Sequence, residues 1–196
     1  DIDQIAILVE EARNEGIRVL PPDINESFNN FTLVSDNNIR FGLTAVKNVG
    51  VNIVEAIVEE RKKNGPYKSI GDFLSRVQSK DLNKKSLESL IKAGAFDGLG
   101  ERGQLLANLE EMLNYSRETQ KSRFNGQKNL FDSLSFQSFT FFNLKIKKNI
   151  SLSGNEKVSW EKELLGIYVS EHPLAKHRSY LEKNATSIKA LSSQQT

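Results

Sequence analysis

The sequence has no cysteine, one tryptophan, one methionine and two histidines in 196 residues. Without cysteine there is no disulfide, no zinc-thiolate centre and no thiol nucleophile, and the composition fits a reducing compartment. The two histidines, His172 and His177, are separated by Pro173 and have no acidic cluster beside them, so they do not share a helical face and make no metal site. No uninterrupted apolar run approaches the roughly 18 residues of a membrane helix, and Asp1-Ile2-Asp3-Gln4 lacks the basic start of a signal peptide. These absences lead us to expect a soluble cytoplasmic protein that does not engage membranes and has no catalytic residue, metal site or cofactor of its own.

Charge is present in both signs but is unevenly placed. Lys and Arg number 27 against 25 Asp and Glu. Residues 1–38 carry 2 basic and 8 acidic groups, residues 39–100 carry 11 and 7, and residues 121–150 carry 6 and 1. The front is therefore acidic, whereas the middle and the later stretch are basic. A hydrophobic content of 38% supports a modest core. The first residue is not Met and Ser192–Thr196 closes no element, so the sequence reads as a piece of a longer chain.

Apolar spacing predicts a helix over residues 3–15 stopped at Gly16, then a short buried strand at Ile17–Leu20 ended by Pro21-Pro22. Phe31–Val34 and Ile39–Phe41 flank Ser35-Asp36-Asn37-Asn38, a composition suited to a hairpin turn. From Leu43 to about Leu113 the period is helical, broken at Gly50, Asn64-Gly65-Pro66, Lys80-Asp81 and Gly94–Gly100. Residues 114–158 lose this period and gain Ser, Asn, Gln, Lys and Phe, as an extended linker does. An amphipathic stretch at 160–168, anchored by Trp160, and a short helix at 176–183 follow. The expected fold is mainly α with a small β region. Its divisions are 1–42, a helical domain at 43–115, a flexible linker at 116–158 and a helical segment at 159–196.

One stretch, GLTAVKNVGVNIVEAI at residues 42–57, interrupts a good apolar face with a tight turn. Leu43, Val46 and Val49 precede Gly50, and Ile53, Val54 and Ile57 follow it, so two close-packed helices are expected, with Gly50 supplying a position that a side chain would obstruct. The turn leaves the amides of Val51 and Asn52 without helical partners. Such amides, backed by the helix dipole and flanked by Lys47, attract a phosphate. The pattern returns as Leu87, Leu90, Ala93 and Gly94, with Lys92 alongside. The candidate phosphate-binding residues are Lys47, Asn48, Val49, Gly50, Val51, Asn52, Lys92 and Gly94. The same pattern also suits helical hairpins that only pack a core, and Arg61-Lys62-Lys63 reads most simply as a solvated helix end.

These repeats resemble the helix-hairpin-helix module, which grips DNA backbones without reading sequence. That family usually has two glycines flanking an apolar residue; here Asn48 stands for the first, a residue that tolerates left-handed backbone angles, and Val54 stands for a later alanine. Five stretches in order, GIRVLPPDINES, IRFGLTAVKNVG, GPYKSIGDFLSRV, LIKAGAFDGLG and WEKELLGIYVSEHPL, resemble the alpha subunits of bacterial DNA polymerase III, the C-family replicative polymerases. The resemblance implies that residues 1 to about 42 close the fingers region, that the middle is a tandem DNA-binding module and that an oligonucleotide-binding barrel follows residue 196. Gln127-Lys128-Asn129-Leu130-Phe131 looks like the peptide with which replication proteins dock on the sliding clamp, Leu130 and Phe131 filling an apolar pocket and Gln127 bonding at its rim. The implied partners are duplex DNA, the sliding clamp and other replicase subunits.

Nucleotidyl transfer needs two metal ions held by clustered carboxylates. Asp1 and Asp3 are a tempting pair, but they open an amphipathic helix, where acidic groups suit the dipole. The parent would be a magnesium-dependent nucleotidyltransferase whose palm lies elsewhere. The competing reading is a helical scaffold that binds only proteins and has no affinity for DNA.

Overall fold

The computed structural model describes residues 2–77, 79–124, 153–170, 174 and 177–185. Helix α1 (Ile2–Asn14) ends in a paired reverse bond: the Gly16 amide donates to the Arg13 carbonyl at 3.0 Å and the Ile17 amide to that of Ala12 at 2.9 Å. Three strands follow, β1 (Arg18–Leu20), β2 (Thr32–Ser35) and β3 (Asn38–Arg40), in the spatial order β1-β3-β2. β3 runs antiparallel to β2, making the expected hairpin with Asp36-Asn37 at its tip, and parallel to β1. Parallel pairing requires a long connection, and the loop of residues 21–31 together with β2 provides it, β2 returning the chain before the hairpin lays β3 beside β1. That loop is pinned at both ends, the Ile24 amide donating to Ala95 at 2.8 Å and the buried Ser27 hydroxyl to the Phe41 carbonyl at 2.7 Å.

Six helices then build one core, α2 (Val51–Asn64), α3 (Ile70–Arg76), α4 (Lys84–Lys92), α5 (Arg102–Ala107), α6 (Leu109–Phe124) and α7 (Gly154–Leu165), and a further helix, α8 (Arg178–Asn184), contributes no described residue to it. Their starts are written locally. Ser69 accepts from the Asp72 amide, Asn83 and Ser86 make a reciprocal capping box, and Ser153 and Glu156 make another. Ile53 and Ile57 of α2 meet Phe73 of α3, Leu87, Leu90 and Ile91 of α4, and Leu164 and Leu165 of α7 in a single buried cluster. Tyr67, Phe73 and Phe96 stack edge to face through it, with centroids 5.1 and 4.9 Å apart. The Tyr67 hydroxyl is buried and donates to the Ile57 carbonyl at 2.8 Å; burial pushes its pKa up, so it stays a donor.

Three details differ from the sequence reading. Only Leu43–Ala45 winds before the turn, as a single 3₁₀ turn, because the backbone becomes extended at Val46 (φ −75°, ψ 123°) and left-handed at Asn48 (φ 67°); the amides of Leu43 and Thr44 donate to the carbonyls of Phe28 and Asn29. A Cβ on the preceding Gly42 would sit 2.5 Å from the Asn30 backbone, so this close approach requires glycine. Arg61 is not on a solvated end: it is buried and donates to the carbonyls of Ile24 and Ser27, both at 2.8 Å, while Lys62 and Lys63 stay exposed. Helix α6 continues to Phe124 and α7 begins at Gly154, so helix enters the span 116–158 from both sides.

Candidate nucleic-acid interface

The turn that carries the candidate residues is built from its buried members outward. Val46 and Val49 are sunk in the core at 1% and 7% exposure, so the residues between and after them are forced to the surface. Asn48 has φ 67°, making it the one non-glycine residue with a positive φ among those described. Its side-chain amide donates to Ser89 of α4 at 3.2 Å, which anchors the left-handed position in the fold. Val49 then donates to the Val46 carbonyl, and the chain re-enters helix at Val51.

Gly50 is the N-cap of α2 and no side chain caps it. Among the described residues no carbonyl accepts from the amides of Gly50, Val51 or Asn52, and all three residues are exposed. Lys47 is exposed alongside and forms no ion pair with a described residue. Three uncapped amides at a helix N-terminus thus follow within a few residues of an exposed lysine that has no ion pair among the described residues, a combination that favours an anion. Gly50 corrects one expectation. Its φ is −78° and an added Cβ would meet nothing within 4 Å, so no contact with the described residues requires glycine there. One carboxylate lies at the rim, where Asp81 accepts from the Asn52 side chain at 3.3 Å.

The second repeat is arranged differently. Gly94 is buried with φ 87°, closing α4 by the same paired reverse bond that closes α1, its amide on Ile91 and that of Ala95 on Leu90. A Cβ there would also lie 2.2 Å from the Arg102 guanidinium. Lys92 is occupied, its ammonium 2.6 Å from Glu88 and 5.4 Å above the Trp160 ring. Lys92 and Gly94 therefore face α5 and α7, whereas Lys47 and Gly50 face solvent.

Arg102 organises this region. It holds both Asp97 oxygens, at 2.8 and 2.7 Å, donates to the Lys92 carbonyl at 3.0 Å and lies 3.7 Å from Glu161 of α7. Burial alone would lower the Arg102 pKa, but its bonds to Asp97 and the nearby carboxylates outweigh that and raise it. Helix α7 also reaches the first turn directly, the Leu164 carbonyl accepting from the Lys47 amide at 2.9 Å. Asp81, Ser89, Arg102 and Glu161 escaped the sequence reading because their contacts join elements far apart in the chain, which no local period records. Gln127, Leu130 and Phe131 lie outside the described residues.

The helix-hairpin-helix motif family matches residues 16–105. Across nearly its whole length the chain is similar to DNA polymerase III subunit alpha of Thermus aquaticus, 42% identical over 192 residues, 98% of this chain and 15% of that protein. The same subunit of Borreliella burgdorferi is 42% identical over 183 residues, 92% of this chain and 16% of that protein. The chain belongs to the DNA polymerase III alpha-subunit family. More distant is the Pseudomonas aeruginosa subunit, 34% identical over 199 residues, 93% of this chain and 17% of that protein. The chain thus spans about 15% of the length of the curated relatives it matches. Among the described residues no helix is long and apolar enough to cross a membrane, and no group of three or more His, Asp or Glu is placed to hold a metal ion.

Proposed function

We propose that this segment holds duplex DNA by its phosphates within a replicative polymerase. The observation that carries the reading is the exposed turn at Gly50: among the described residues nothing caps the amides of Gly50, Val51 and Asn52, nothing pairs with the neighbouring Lys47, and nothing requires a glycine at position 50. A bare backbone is useful where another chain must approach within van der Waals distance, and a sugar-phosphate strand bonded to those amides does so. Contacts of this kind read no base edge, so binding is indifferent to sequence and falls as salt rises. The grip is centred on Lys47–Asn52, while Lys92 and Gly94 support it from behind. Polymerisation itself, with its magnesium ions, is assigned to the rest of the polymerase, in the cytoplasm.

Anisotropy titration of random duplexes tests this. The affinity of the chain should fall steeply with salt, and Gly50→Leu should weaken it by tenfold or more with the melting temperature nearly unchanged. A scaffold that binds only proteins predicts no DNA affinity and no specific effect of Gly50→Leu; that result would sink the reading. Docking on the sliding clamp through Gln127, Leu130 and Phe131 is a second part of the proposal and rests on the sequence pattern alone. Replacing Leu130 and Phe131 with Ala should abolish capture by an immobilised clamp, and undiminished capture removes the claim.

A further inference from the structure

We infer that Glu161 of α7 is a positioning residue for the phosphate-binding turn, acting through the Leu164 carbonyl on the Lys47 amide. This deepens the DNA-binding reading and rests on it for its functional consequence. Lys47 and Leu164 are far apart in sequence, yet they share a backbone hydrogen bond of 2.9 Å at the base of the turn. That bond fixes where the chain leaves the core and turns into the left-handed Asn48, so it sets the direction of the Lys47 side chain and of the amides that follow.

The Leu164 carbonyl is held in place by what happens just beyond it. Helix α7 ends at Leu165 and reverses at Gly166, φ 76°, whose carbonyl accepts from Lys162 at 2.9 Å. The chain then folds back along its own helix, and Glu161 secures the return. One oxygen of its buried carboxylate accepts from the amides of Val169 and Ser170, both at 2.9 Å, and from the Ser170 hydroxyl at 3.0 Å. The other oxygen faces Arg102 at 3.7 Å, the cation that spans Asp97 and the end of α4. Glu161 is 1% exposed, and its hydrogen-bond and ion-pair partners, Val169, Ser170 and Arg102, all lie outside Lys47–Asn52. A carboxylate in this position accepts from every neighbour, whereas an amide must turn one donor toward donors. With the return loosened, the last turn of α7 frays, the Leu164 carbonyl withdraws and the Lys47 amide opens.

The test uses the whole 196-residue chain with Glu161→Gln, the milder Ser170→Ala, and Phe73→Leu as a control. Phe73 is fully buried in α3 against Tyr67 and Phe96, and its change lowers stability without entering this network. Amide hydrogen exchange at Lys47 is read in the absence of DNA, and duplex affinity is measured separately. In Glu161→Gln the Lys47 amide should exchange about tenfold faster than in Phe73→Leu at matched global stability, a difference of about 1.4 kcal/mol in local opening. Ser170→Ala should show a smaller effect in the same direction. Duplex affinity should fall several-fold in Glu161→Gln with the salt slope kept, since no phosphate contact is lost. Equal exchange in Glu161→Gln and the control overturns the inference. If the unaltered chain fails to bind duplex while the exchange contrast holds, the DNA reading fails and the role of Glu161 in shaping the turn stands.

Discussion

At the scale of single residues, the phosphate-binding face is defined as much by Asp81 as by Lys47. The Asp81 carboxylate bonds the Asn52 side chain at 3.3 Å and so holds a negative charge beside the uncapped amides. A phosphate arriving there meets three backbone donors, the nearby Lys47 and one repelling group. Coulomb energy between unit charges about 8 Å apart at an effective dielectric near 20 is about 2 kcal/mol before salt screening, which reduces it further. Asp81→Asn keeps a side-chain oxygen to accept from Asn52, and it leaves intact the bonds from Asn83 and Ser86, which go to the Asp81 backbone. This variant should bind duplex several-fold more tightly at low salt, with the gain shrinking toward high salt. Weaker binding would mean that Asp81 orders the turn rather than opposing DNA. Sequence alone marked Lys47 and Asn48 through the break in the apolar period, and Asn48 does take the left-handed angle that its substitution for glycine implied. It gave no hint of Asp81, because nothing local couples residue 52 to residue 81.

At the scale of elements, the two repeats share a pattern but not a role. The first closes a 3₁₀ turn and opens α2 with its amides free; the second closes α4 with its amides spent on Ile91 and Leu90. The glycines differ accordingly. Gly50→Ala adds a methyl to open space, whereas Gly94→Ala both forces an L-residue to φ 87° and drives a Cβ into the Arg102 guanidinium. The left-handed angle costs roughly 1–2 kcal/mol and a displaced, partly unpaired buried arginine another 1–3. Gly94→Ala should thus lower the melting temperature by on the order of 10 °C in thermal denaturation. A shift of only a degree or two would show that Arg102 relaxes freely. Leu-x-x-Leu-x-x-Ala-Gly and Leu-x-x-Val-x-x-Val-Gly look alike because periodicity records which residues face a core, not what stands beyond the turn. The same limit applies to α1, whose apolar stripe was legible although Ile7 and Leu8 remain exposed at 68% and 63%.

At the scale of the whole molecule, the division of the chain into a hairpin domain and a separate later segment does not describe how stability is distributed. Leu164, Leu165 and Ile167 belong to the same buried cluster as Ile53 and Leu90, and Arg102 and Glu161 join the two parts. The helical period from Trp160 to Tyr168 was readable, but its destination was not, since an amphipathic face specifies that it must be covered and leaves the partner open. Burying three such side chains contributes about 1.5–3 kcal/mol each, an upper bound of roughly 5–9 kcal/mol before the entropy of ordering α7 is subtracted. A chain ending at residue 124 should therefore keep its helical signal but melt at markedly lower temperature than the complete chain. A synthetic peptide of residues 153–170, added in excess, should raise that temperature in proportion to the logarithm of its concentration, as expected for a ligand of the folded state alone. An identical melting temperature for the two chains would mean that α7 rests on the module without supporting it. Recovery by the peptide would instead show that one cooperative core is assembled from both sides of residues 125–152.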